Sequence, residues 1–248
     1  MIARVDVLRP EAPKRVLIVA SNPAVSKMTG WPIGFWWSEL THPYWEFTEH
    51  GYEVVVASPD GGRLQADPWS DPRDDSGYSA DDLISLGFIA SPLHADLVEE
   101  TVPLADVDIG AYDAVLFVGG QGPMYTFVDN ELVHRVLVGF YEAGKMTGVI
   151  CHATAVLLTA KLSTGELLVD GKTWTGFANS EEAVADDFVG RRIQPFWIED
   201  GAKKLDNTNF IVDSAFKSHA RRDGNLVTGQ QQHSGTAAAR LIIGALGQ

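Results

Sequence analysis

The chain has 248 residues, 45% of them hydrophobic and 21% charged, which supplies a substantial core and excludes disordered and fibrous classes. A net charge of −14 disfavours DNA, RNA and anionic membrane surfaces as partners. The single cysteine excludes an internal disulfide and fits a reducing compartment. No apolar run approaches the ~18 residues that cross a bilayer, and Met1–Pro13 lacks the apolar core of a signal peptide, so a cytoplasmic location is expected.

Met1–Pro13 reads as a loose leader with at most a short strand. Arg15–Ala20 is a continuous apolar run of the kind found in a strand covered on both faces of a parallel sheet. Ser21–Gly34 is loop, and Phe35–His50 has helical spacing, with Pro43 implying a kink or a restart near Thr41. Glu53–Ala57 is the next buried strand, which completes a β-loop-α-β unit. The irregular stretch at about 63–110 is too long for slack and is expected to form a cap or an interface. Within it, Asp81–Leu86 and Ala95–Glu100 read as short helices, and the acids Asp74, Asp75, Asp81 and Asp82 as a solvated face. Val115–Val118 resumes the sheet, Asn130–Ala143 is an amphipathic helix, Thr147–Ile150 is a strand and Ala153–Ala160 is helical. Leu167–Thr175 reads as a hairpin around Asp170-Gly171. Ser180–Asp187 is a helix capped by Asn179 or Ser180. Phe210–Val212 and Leu226–Thr228 are late strands before a closing helix, Thr236–Leu246. With no repeat and no linker, residues 1–248 are expected to form one α/β domain.

Chemistry concentrates where Gly148-Val149-Ile150 runs into Cys151-His152. A lone cysteine is most simply a buried structural thiol. Here it stands at a strand-to-helix turn, where the helix start would favour a thiolate and His152 offers a base. The loop Gly119-Gly120-Gln121-Gly122 ends the neighbouring strand, on the side where open α/β sheets bind ligands. It matches neither a P-loop nor GxGxxG, and reads equally as an oxyanion hole. Glu39 follows Phe35, Trp36 and Trp37, an apolar setting in which burial would raise its pKa toward acid–base use. Trp36 and Trp37 cannot both face inward. Glu181 and Glu182 suit a helix start, and either could orient a histidine. His233 is a competing base. His42 and Glu46 share a helix face without a third ligand, so no metal is expected.

Several motifs together carry a resemblance. They are Glu39-Leu40 with Pro43, Ala57-Ser58-Pro59-Asp60-Gly61-Gly62, Phe117-Val118-Gly119-Gly120-Gln121-Gly122 and Val149-Ile150-Cys151-His152. Weaker support comes from Thr175-Gly176-Phe177 with Glu181-Glu182, from Pro195–Asp200 and from Leu226–Gln230. On these residues the chain resembles the ThiJ/PfpI superfamily, and within it the branch of heat-shock-type chaperones and glutathione-independent glyoxalases (glyoxalase III). The resemblance implies a flavodoxin-like three-layer α/β sandwich with a mostly parallel sheet, related to class I glutamine amidotransferases, and a nucleophile elbow at Cys151. It places the base at His152, its orienting acid at Glu182, the thiol's carboxyl partner at Glu39 and the oxyanion donors at the N–H groups of Gly120 and His152. Trp36, Gly119, Gln121, Phe177 and His233 are the expected pocket residues. It also implies a homodimer, a small reactive carbonyl substrate and no cofactor. Two segments depart from the family pattern: Cys151-His152-Ala153-Thr154 replaces Cys-His-Gly-Pro, and Gly229-Gln230-Gln231-Gln232-His233-Ser234 replaces Gly-Gln-Asn-Pro-Ala-Ser.

The leading expectation is therefore a cofactor-free glyoxalase acting on a 2-oxoaldehyde such as methylglyoxal. The alternatives are a stress chaperone or redox sensor, and a cysteine hydrolase of amidase, peptidase or deglycase type. A glutamine amidotransferase needs a late histidine-x-glutamate pair, which neither His219-Ala220-Arg221 nor His233-Ser234-Gly235 supplies.

Overall fold

The computed structural model describes residues 13–247. The expected leader strand lies outside the described residues. In chain order the elements begin with β1 (Arg15–Val19), β2 (Ala24–Val25), β3 (Pro32–Ile33), α1 (Trp37–Glu49) and β4 (Glu53–Ser58). Next come α2 (Leu83–Ala90), α3 (Pro92–Glu99), β5 (Val102–Pro103), β6 (Ala114–Phe117), α4 (Pro123–Thr126) and α5 (Glu131–Glu142). The strand β7 (Met146–Ile150) feeds a 3-10 helix, Cys151–Leu158. The chain ends with β8 (Thr173–Trp174), α6 (Asn179–Val189), α7 (Ile198–Ala202), β9 (Asn209–Phe210), β10 (Ala220–Asp223), β11 (Leu226–Gly229) and α8 (Gly235–Leu246).

Seven strands form the main sheet in the order β10-β11-β7-β6-β1-β4-β5. Only the β10–β11 pair is antiparallel. Successive β1 residues alternate between two cores, as the period of two in a strand requires. Leu17 and Val19 pack with Val133, Leu137 and Phe140 of α5, while Val16 and Ile18 pack with Leu40 and Phe47 of α1 and Ile242 of α8. Helices therefore cover both faces, which gives the flavodoxin-like sandwich. Register aligns the carboxyl ends: Val19 opposes Phe117, Phe117 opposes Val149, and Ile150 opposes Gly229. The glycine loop and Cys151 consequently leave adjacent strands side by side.

Several local expectations change. Helix α1 runs unbroken through Pro43 rather than restarting at Thr41. Asp170-Gly171 makes a turn but no hairpin, because β8 pairs in parallel with β9 instead of folding back on Leu167. Helix α6 is capped at Ala178, whose N–H donates to Glu181 Oε2, and not by Asn179 or Ser180. Asp82 is not simply solvated: it caps α2 through the Ser85 N–H and pairs with His42 at 2.8 Å. Of the 63–110 segment, residues 67–78 lie beside the candidate site, α2 packs on α1, and β5 extends the sheet edge.

Candidate active site

Cys151 is the first residue after β7 and has φ 56°, a left-handed backbone that a side-chain-bearing residue rarely adopts. The sharp turn lifts the thiol to the end of the sheet, although only 2% of the residue is exposed. Thr154, at a position where the family usually has proline, donates its hydroxyl to the Cys151 carbonyl at 2.6 Å. Ala153 and Thr154 are thus buried behind the nucleophile and do not line the cavity above it.

His152 Nδ1 lies 3.4 Å from Cys151 Sγ, and His152 Nε2 lies 3.2 Å from Glu182 Oε1. The Phe177 ring stacks on the imidazole with centroids 4.0 Å apart. Glu182 is buried in the first turn of α6. A carboxylate on Nε2 holds the proton there and leaves the Nδ1 lone pair facing the thiol. Burial pulls the His152 pKa down, but the Glu182 carboxylate, with Glu39 and Asp67 behind it, reverses this and the net shift is upward. Glu181 is not interchangeable with its neighbour. It accepts from the Phe216 N–H and from Gln230 Nε2, both at 2.9 Å, and so ties α6 to the C-terminal segment.

The thiol does not match the expectation of a thiolate stabilised by a helix start. Burial, and then the Glu39 carboxyl, push the Cys151 pKa well above its ordinary value. The backbone N–H groups of Gly120 and His152 beside the sulfur act in the opposite direction. The helix is a narrow 3-10 turn in a dry setting, so desolvation outweighs its dipole.

Beneath Cys151 lies Glu39, with none of its surface exposed. Its Oε2 accepts the Gly119 N–H at 2.7 Å, its buried Oε1 has no hydrogen-bond partner among the described residues, and the Cys151 thiol stands near enough to influence its charge. Burial raises its pKa to about 7. A second buried carboxyl, Asp67, accepts the Gln121 N–H at 2.6 Å and the Gly34 N–H at 3.0 Å, and burial raises its pKa to about 7 as well. The two carboxyls therefore grip the amides on either side of Gly120 and leave the Gly120 N–H for the reacting centre. Gly120 has φ 98°, and a Cβ on Gly119 would stand 2.7 Å from the Cys151 Cβ, so the glycines are a steric requirement.

The cavity above the thiol measures about 160 Å³. Trp36, Gln121 and Phe177 line it, as do Cys151, His152, Gly120 and Glu182. Two expected pocket residues do not. Gly119 lies under the nucleophile, and His233 is exposed outside the cavity, next to His42, Asp81 and Asp82. The adjacent Gln232 lines the cavity instead, its amide donating to the Tyr78 hydroxyl at 3.2 Å. Trp37 packs in the core while Trp36 faces the cavity. Asp67, Trp69 and Tyr78 were not expected there. The Asp67-Pro68 step in a polar loop was their only sequence signal. Among the described residues no cluster of three or more His, Cys, Asp or Glu is placed to hold a metal ion, and no helix is long and apolar enough to cross a membrane.

Comparison with known proteins agrees with the fold described above. The glutathione-independent glyoxalase HSP31 of Saccharomyces cerevisiae is 26% identical over 95% of this chain and 99% of its own length. Glyoxalase 3 of Candida albicans is 23% identical over 84% of this chain and 87% of its own. In structure, the Rapid Encystment Protein 24 kDa of Francisella tularensis matches with a TM-score of 0.83 and 28% identity, covering 95% of this chain and 100% of that one. Glyoxalase III of Candida albicans shares the fold, with a TM-score of 0.75 and 22% identity over 94% and 97% of the two chains. The DJ-1/PfpI family matches residues 34–245, and the chain belongs to that family.

Proposed function

We propose that the protein is a glutathione-independent glyoxalase that converts a 2-oxoaldehyde, RCOCHO, and water into the 2-hydroxy acid RCH(OH)COOH. The observation that carries this reading is the Cys151–His152–Glu182 chain, with contacts of 3.4 Å and 3.2 Å, at the floor of a cavity of about 160 Å³. So small a site suits an aldehyde better than a peptide chain. The names of the yeast and Candida relatives support the same choice.

In the proposed mechanism His152 Nδ1 takes the thiol proton while Glu182 stabilises the imidazolium. The thiolate adds to the aldehyde carbon, and the new oxyanion sits against the Gly120 and His152 N–H groups before taking the proton back from His152. Neutral His152 then removes the C1 hydrogen as a proton, leaving an enediolate. Return of that proton to C2, as the C1 hydroxyl proton passes to the C2 oxygen, leaves a 2-hydroxyacyl thioester on Cys151. Water, deprotonated by His152, cleaves the C–S bond and restores the thiol. The step is redox-neutral overall: C1 is oxidised as C2 is reduced. Glu39, with a pKa of about 7, is available to donate a hydrogen bond to the sulfur.

The 63–110 segment acts in this proposal as a cap, since it carries Asp67, Trp69 and Tyr78 to the cavity. A single α/β domain and a cytoplasmic location belong to the same reading, as does a homodimer, which rests on the family resemblance. The test is lactate formation from methylglyoxal without glutathione. Reduced wild type forms lactate, and Cys151→Ala lowers the rate by at least ~10³-fold. Wild type that is inert while its thiol titrates as free would sink the proposal.

A further inference from the structure

The wall above the nucleophile is more apolar and more exposed than a methyl-bearing substrate needs. Trp69 forms edge contacts with Phe188 at 5.4 Å, and Trp36 does so with Tyr78 at 5.9 Å; Trp69 and Tyr78 stack at 6.4 Å. All four rings line the same cavity as Cys151 and His152, together with Val184. This is not a buried core. Phe188 is 75% exposed, Val184 52% and Tyr78 49%. Exposed aromatic and aliphatic groups converging on a reactive thiol are unfavourable in water and become favourable when an apolar group covers them. Val184 and Phe188 are four residues apart on α6 and so share one helix ridge. The first turn of that helix holds Glu182 against His152, so one element carries both the acid that orients His152 and the Phe188 part of the rim.

Charge narrows the class further. Among the described residues, no lysine or arginine lines the cavity, whereas the carboxyls of Asp67 and Glu182 do. Two arginines close to the lining residues in sequence are engaged elsewhere: the Arg191 guanidinium lies over Trp31 and donates to the Thr29 carbonyl, and the Arg192 guanidinium lies over Trp197 and donates to the Gln194 carbonyl. A phosphorylated or carboxylated aldehyde would find no lysine or arginine in the lining and would meet the carboxyls of Asp67 and Glu182.

We propose that the aromatic rim of Trp36, Trp69, Tyr78 and Phe188 is a substrate subsite that selects 2-oxoaldehydes carrying an uncharged aryl or bulky apolar substituent. This rests on the glyoxalase reading, and the bond changes are those already written, with the substituent R lying along the rim while Cys151 adds to the aldehyde carbon. The cavity takes up the ring through aromatic contact, and methylglyoxal leaves that surface wet.

The experiment compares initial rates for methylglyoxal, phenylglyoxal and 4-carboxyphenylglyoxal with the full chain and with Phe188→Ala and Trp69→Ala. Expected are a kcat/KM for phenylglyoxal, read as mandelate, at least ~10-fold above that for methylglyoxal, and a ~10-fold fall on adding the para-carboxylate. Each variant lowers the phenylglyoxal-to-methylglyoxal ratio about fivefold. Phe188 is largely exposed, so its variant remains informative even if Trp69→Ala does not fold. Methylglyoxal turnover with no aryl preference, or a ratio unmoved in Phe188→Ala, overturns the subsite and leaves the glyoxalase reading intact. No turnover of either neutral aldehyde by protein with a titratable thiol overturns both.

Discussion

Cys151 is bounded by two unlike surfaces. The floor is dry and built of backbone amides gripped by carboxyls: Glu39 on Gly119, Asp67 on Gln121 and Gly34. The rim is built of rings that touch one another by their edges and faces and stay partly wet. Directional hydrogen bonds fix atoms to within a few tenths of an ångström, while ring contacts tolerate exchange of shape. The floor is thus suited to hold the reacting centre, and the rim to choose what reaches it. Substitutions on the floor should change rate or pH behaviour, and substitutions on the rim should change selectivity.

The sharpest test of this division is Glu182→Gln, which keeps a hydrogen-bond acceptor for His152 Nε2 but removes the charge. It should lower kcat/KM about 100-fold, since orienting acids of this kind act through the histidine. The His152 pKa, no longer lifted by that carboxylate, should fall, and the acid limb of the pH–rate profile should move to lower pH. An unchanged profile would mean that Glu182 does not act on His152.

Glu39→Gln probes the floor through stability. Glu39 has a folded-state pKa of about 7 against an ordinary value of 4.5. Below 4.5 the group is protonated in both states; as pH rises toward 7 the unfolded chain ionises first, so the folded state loses stability through that window. The loss is about 2–3 kcal/mol. The glutamine variant lacks this loss, so its stability advantage over wild type should grow by that amount between pH 4.5 and pH 8 in urea unfolding. A difference independent of pH would contradict the buried, proton-binding Glu39.

Asp67→Asn should be milder. Its amide oxygen can still accept from one of the two N–H groups, but not from both. A fall of about tenfold in kcat with little change in KM is expected if Asp67 aims the Gly120 N–H; a rise in KM alone would assign it to substrate binding instead. The smallest effect belongs to the rim. Phe188→Ala should change the unfolding free energy by no more than about 0.5 kcal/mol, because the ring is exposed. A larger loss would show that the rim is core after all.

Some of this was legible in the sequence for identifiable reasons. A central parallel strand is apolar on both faces, so Arg15–Val19 and Ala114–Phe117 announce themselves as continuous runs. Cys151, His152 and Glu39 stand out from their local setting, motif resemblance selects Glu182 over Glu181, and the fold brings all four together. Asp67 was not named because its partners lie 33 and 54 residues away along the chain, at Gly34 and Gln121. Turn chemistry at Asp170-Gly171 was visible, but β8 takes its partner from β9, a parallel pairing that local signals do not encode. The expectation of His233 at the pocket misses by one residue, because a one-turn helix at 232–234 turns Gln232 to the cavity and His233 away from it.

Helix α6 bears on how such a site can diverge. It presents Glu182 in its first turn and Phe188 near its last. Deleting one residue between them would turn everything beyond the gap by about 100° around the axis and draw it in by about 1.5 Å. Glu182 would stay on His152 while a different side chain swung over the cavity. A relative could therefore acquire a new diet through a change in helix length alone, with every reacting atom inherited in place.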